Sequence, residues 1–447
     1  MLNYIKTRPL TFFLLSTLVI LISGSSIHTA FYRNNYLPGT YINNIYVGKM
    51  SVEDSLEMVS EKYSQKDYIT IKLKEQSWDI PFDSLYSLQT DTLNNALVEI
   101  KDKQRTLSPI RFINLLLTHQ KEDVVYELNP VNLDTLDDEL NKVAKEISVK
   151  PINASIYIED KKIKTTVHKK GVKLNNSKTA EEIITNLQSG KVVTEVIIEE
   201  IPPEITEDML SALKITDKVS SVSSSYANSA DNRIYNVKKA GNKVKNHLLW
   251  PGETFSFNDV VGEANKENGY KESTIIINNQ FVPGYGGGVC QVSSNLYNAA
   301  LKANLKIVER HKHGRPVSYF DVGWDATIAY PYLDLKFKNN TPFGILIDID
   351  YTDTEISTYI YSFPPAFPKV ELTQTDFKEV DYKVEYVENS DITKGKKIIK
   401  SEGKKGYKVT TWRNIHLSDG TVYKEKLFED FYKPVSKIVE KHPIDIR

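Results

Sequence analysis

Apolar residues recur along this chain in two periods. Alternation at 41–47, 68–73, 154–158 and 161–167 predicts strands. Helical spacing marks 91–100, 110–119 and 179–187, and Ser51 caps a further helix with Glu53 and Asp54 in its first turn. A later helix begins near 289. Val289, Val292, Leu296 and Ala300 fall on one face, with Tyr297 and Leu301 beside it. Beyond 369 the pattern is strand-like, with alternating runs at 382–387, 407–412 and 421–425. At the amino terminus, 10–22 is apolar apart from Thr11, Ser16 and Thr17, and the run extends to Ile27. Lys6 and Arg8 precede it without an acid, which is the form of an export signal. The stretch 9–27 is roughly long enough to cross a bilayer as a helix. His28-Thr29-Ala30 is a poor cleavage site. The pattern therefore predicts an uncleaved signal anchor at 1–30, with everything after Asn34 outside the cell; a cleaved signal peptide is the alternative.

These elements group into blocks. Strand, helix, strand and two helices fill 36–125. Strand, strand, helix, strand, turning at Gly171, fills 126–204. Ile201-Pro-Pro-Glu-Ile-Thr206 reads as a linker, a compact region occupies 222–351, and the proline-rich 363–368 reads as a hinge before a small β module at 369–440. The expected fold class is α+β multidomain: a signal-anchor helix, α+β spacer or binding domains, a central α+β domain and a small β domain. The flanking blocks carry no catalytic cluster and read as modules that position the centre.

A net charge of −1 with 26% charged residues gives no basic field for nucleic acid. The chain has one cysteine, and it lies in the glycine-dense stretch 283–294, Pro-Gly-Tyr-Gly-Gly-Gly-Val-Cys-Gln-Val-Ser-Ser. Outside the cell a thiol without an intrachain partner is free and reactive or pairs between molecules; a buried, inert cysteine is the plain alternative. A glycine turn entering a helix favours the reactive reading, because the helix amino terminus stabilises thiolate. Nucleophilic chemistry would need a base, and His311 and His313 lie downstream on one side of an extended stretch. Asp325 could orient a histidine or hold a substrate amine. The turn Gly287, Gly288, Val289 and Cys290 could aim backbone N–H groups at one oxyanion. Arg233 and Arg310 could grip a substrate carboxylate or hold structure. Cys290, His311, His313 and Asp325 could instead ligate a metal, but no second cysteine joins them and the glycine loop suits acyl chemistry better. No cofactor is expected, and no Gly-Lys-Ser/Thr follows the loop to make it a phosphate loop.

The central region resembles the VanW domain. The stretches that carry the likeness are Ser225-Tyr-Ala-Asn228, Asn232-Arg-Ile-Tyr-Asn236, 249–258, 286–299, Glu309-Arg310, His313, Pro316-Val-Ser-Tyr319 and Asp325-Ala-Thr327. The block before it resembles the peptidoglycan-binding domain that precedes transpeptidase domains in exported Gram-positive proteins. The last block is similar to the five-glycine domain of wall-associated proteins. Some VanW domains have been assigned L,D-transpeptidase activity. The resemblance thus implies a membrane-anchored wall enzyme, acting on peptidoglycan stem peptides through Cys290 with His313 as base and Asp325 behind it. Gly287, Gly288, Val289, Arg233, Arg310 and Tyr319 would bind substrate or oxyanion. The alternative is a non-catalytic peptidoglycan-binding or resistance accessory protein; a metal-binding accessory protein is a third reading.

Overall fold

The computed structural model describes residues 11, 13–16, 30–64, 66–85, 90–124, 133–189, 191–277 and 280–446. The chain divides into a unit of 1–152 with 169–203 and a unit of 153–168 with 204–447. Both mix helix and sheet, so the α+β multidomain part of the expected class stands. The signal-anchor part is corrected. Among the described residues no helix is long and apolar enough to cross a membrane, and most of the expected anchor at 1–30 lies outside them. The single-pass membrane location and the membrane partnership drawn from that helix fall with it.

In the first unit, helix Val52–Ser64 starts where Ser51 Oγ accepts the Asp54 N–H at 3.0 Å and the Ser51 hydroxyl donates to the Asp54 carboxylate at 2.8 Å. Strand Tyr68–Leu73 pairs antiparallel with Gln76–Pro81 and parallel with Val193–Glu195. Its alternation buries Ile69 and Ile71 completely. Leu93, Leu140, Ile183 and Val196 join them, so residues from 36–125 and from 126–204 line one core.

The second unit carries the glycine loop. Its main elements run β1 (Asp217–Ser225), α1 (Asp231–Val244), β2 (His247–Leu249), β3 (Thr254–Ser256), β4 (Glu272–Ile277) and β5 (Gln280–Tyr285). Then follow α2 (Val289–Lys302), β6 (Lys306–Glu309), β7 (Lys336–Lys338), β8 (Ile345–Tyr351), β9 (Glu355–Ser362), β10 (Lys369–Val380), β11 (Gly406–His416) and β12 (Val422–Tyr432). A four-stranded sheet has the order β1-β9-β8-β2, with all neighbours antiparallel. Smaller sheets are β3-β7-β6, the β4–β5 hairpin and β10-β11-β12. Helix α2 is buried on every side: Val292, Leu296, Ala299 and Ala300 are fully covered, and so are Gln291, Ser293, Ser294 and Asn295. Burying each large apolar side chain stabilises by roughly 1.5–3 kcal/mol. The polar ones bond to neighbours through their hydroxyls and amide nitrogens, while the amide oxygens of Gln291 and Asn295 have no partner among the described residues. Ser220 of β1 donates to the Ala299 carbonyl at 2.8 Å, and the Gln291 amide donates to Ser224 at 2.9 Å. Leu372, Leu427 and Phe428 of the C-terminal sheet pack against the same core.

Candidate functional site

The glycine loop delivers Cys290 to a helix start. Gly286 has φ 78° and Gly288 φ 110°, conformations that a side chain strains. A Cβ at 288 would also meet Val237 Cγ2 at 2.9 Å and Arg233 Cγ at 3.0 Å. The turn closes by a bond from the Val289 N–H to the Gly286 carbonyl at 3.1 Å. Cys290 is thus the second residue of a fourteen-residue helix, half-buried, at the positive end of the macrodipole.

The segment after β6 returns across that helix end, held by the polar face of α2. Ser293 donates to the Ala326 carbonyl at 2.7 Å, the Ala326 N–H donates to Ser294 at 2.9 Å, and Asn298 donates to the Trp324 carbonyl at 2.6 Å. This fixes Asp325 under His313. One Asp325 oxygen takes both the His313 backbone N–H and its Nδ1, each at 2.7 Å. The Cys290 thiol lies close enough to His313 for each to shift the other's protonation. Thr327 Oγ1 lies 3.7 Å and the Ile328 carbonyl 3.8 Å from the sulfur.

The charges follow from this geometry. Burial pushes the Cys290 thiol up, but the bond and charge of His313 outweigh it and hold the thiol below its usual range. Burial pushes His313 down, yet Asp325 and Cys290 bring it up to about 9. Burial raises Asp325, and the His313 bond with the Arg310 charge overcomes that, leaving it at about 2. The arrangement shifts Cys290 toward thiolate, the form that attacks alkylating agents and other electrophiles.

Asp325 is itself anchored from the C-terminal sheet. Its second oxygen accepts the Tyr432 hydroxyl and the Arg310 guanidinium, the latter at 3.3 Å. Arg310 also donates to Asp430 at 2.6 Å, and Tyr432 accepts the Gly323 N–H at 2.8 Å. The Arg310 guanidinium is 1% exposed and lies over Phe428 and Tyr297. It faces no open space, so the structure places it in a buried ion-pair network.

Beside Cys290 opens a cavity of about 880 Å³. Gly287, Gly288, Val289, His313, Tyr319 and Arg233 all line it. Tyr319 stands edge-on to His313, with centroids 6.4 Å apart, and its ring faces Arg233. Burial lowers the Arg233 value, and nearby Tyr319 and Cys290 oppose the shift. His311 is held apart, its Nε2 3.0 Å from Glu309. Among the described residues no group of three or more His, Cys, Asp or Glu could hold a metal ion. Sequence reasoning missed Arg315 and the lysines at 404, 405 and 433, which also line the cavity. It missed Asp430 and Tyr432 as well. Arg315 sits two residues after His313, but no local motif marks the lysines, Asp430 or Tyr432, which lie far along the chain and arrive through packing.

Three family models match the chain. "VanW like protein" covers 232–361, "Putative peptidoglycan binding domain" covers 78–194, and "G5 domain" covers 371–441. The chain carries a VanW domain that follows a peptidoglycan-binding domain and precedes a G5 domain. It is 37% identical over 147 residues to uncharacterized protein YoaR of Bacillus subtilis, covering 33% of this chain and 48% of that protein. It is 33% identical over 137 residues to vancomycin B-type resistance protein VanW of Enterococcus faecalis, covering 30% and 50%. The chain thus spans about half the length of the curated relatives it matches. The solved IgA1 protease G5 domain is 29% identical over 17% of this chain and 90% of its own, with a TM-score of 0.14.

These findings correct the expectation of an L,D-transpeptidase with a cysteine nucleophile. The models that match are those of VanW, peptidoglycan-binding and G5 domains, and neither relative's name carries an acyl-transfer assignment. Of the expected oxyanion donors Gly288, Val289 and Cys290, the Val289 N–H is engaged by the Gly286 carbonyl within the turn. The accessory reading is the better supported one.

Proposed function

We propose that this protein is a non-catalytic, peptidoglycan-binding accessory protein of the cell wall. What supports it is the run of three domains in one chain, in which a peptidoglycan-binding domain model and a G5 model flank the VanW domain. In this reading the Cys290 cavity receives a stem peptide, and the 880 Å³ volume falls in the range of small-ligand pockets. Cys290, His313 and Asp325 then act as a fixed polar cluster at the cavity floor, with Tyr319 and Arg233 as its walls.

The test is co-sedimentation of the full chain with insoluble peptidoglycan. The protein should pellet with the wall and be released by an excess of soluble muropeptides. Protein that stays in the supernatant at all wall concentrations would refute the reading.

A further inference from the structure

The cavity is strongly one-signed. Arg233 and Arg315 of the VanW domain and Lys404, Lys405 and Lys433 of the C-terminal β domain line it, against one carboxylate among the described residues, Glu263. Lys405 is shared with Glu379, so part of its pull is spent. Lys433 stands exposed at the rim and has no ion pair among the described residues. Apolar residues complete the lining: Ile275 and Ile276 from the β4–β5 hairpin, Val317, and Val435. Low-dielectric walls lined by one sign of charge focus the field and concentrate ligands of the opposite sign.

We propose that this cavity selects a short peptide bearing at least two free carboxylates, and that the C-terminal β domain supplies its outer cationic wall. The inner carboxylate would meet Arg233, whose guanidinium lies over the Tyr319 ring and can bond an oxygen pair. The outer carboxylate would meet the lysines of 404–433. The domain that reads as a separate module in the sequence is on this account half of the binding site. The inference rests on the binding function proposed above and adds to it the charge of the ligand and the source of the selecting groups.

Calorimetric titration of the full chain tests it. The probe is the synthetic tetrapeptide Ala-γ-Glu-Lys-Ala as free acid and with both carboxylates amidated, at low and moderate salt. The free acid should bind at least about tenfold more tightly, and added salt should narrow the gap. Lys433→Glu should weaken the free acid by about tenfold and leave the amidated peptide unchanged, with the far-UV spectrum confirming the fold. Equal affinity for the two peptides, or no effect of Lys433→Glu, would overturn the proposal while wall co-sedimentation left the binding function intact. Absence of both peptide binding and co-sedimentation would overturn both.

Discussion

Asp325 accepts bonds from four directions, and that is why one buried carboxylate sets the state of a sulfur two side chains away. Iodoacetamide labelling of Cys290 should titrate below the free-thiol value of about 8.5. His313→Gln should raise that midpoint by about a unit or more, whereas His311→Gln should leave it in place, because His311 is turned to Glu309. The same pair makes stability depend on pH. His313 has its folded value raised to about 9 from 6.5, so its bond contributes fully below about 6.5 and is lost as pH climbs through 9. Asp325 is depressed to about 2 from 3.8, so its contribution is present above about 3.8 and is lost as pH falls through 2. Urea unfolding should therefore show wild type more stable than His313→Gln at pH 6, by on the order of 3 kcal/mol. The gap should close by about pH 10.

At the scale of elements, the glycine-to-helix entry was legible and its support was not. Helical spacing after 289 and the turn of 286–288 point to the observed α2 because both are local properties. The serine run 220–225 hides a strand, since a serine reads as polar wherever it sits. Ser220 and Ser224 are buried only because α2 supplies their partners. The union with the C-terminal sheet was equally hidden: nothing near Asp430 or Tyr432 announces a buried guanidinium 120 residues away from Asp430. Asp430→Ala should destabilise the chain by roughly 3 kcal/mol, because Arg310 keeps its buried charge and loses its shorter partner. Tyr432→Phe should cost about 1–2 kcal/mol, as Gly323 and Asp325 each lose a bond. Urea midpoints of the two variants check both, and an unchanged midpoint for Asp430→Ala would mean that the sheet does not anchor the site.

At the scale of the whole molecule, domain order was readable, because each block carries its own periodicity and turn residues. Activity was not. A cysteine, a histidine and an aspartate in the right order suggest acyl chemistry, but the order alone does not show where a turn spends its N–H groups. The Val289 N–H bonded to Gly286 is invisible until the loop is folded. Binding without turnover is the behaviour expected of this protein. It is tested most directly by incubating the full chain with purified muropeptides, then reading their masses and the alkylation rate of Cys290 in the same sample. Muropeptides should be recovered at unchanged mass, and labelling of Cys290 should slow while they are bound. New product masses, or a muropeptide adduct on Cys290, would contradict it.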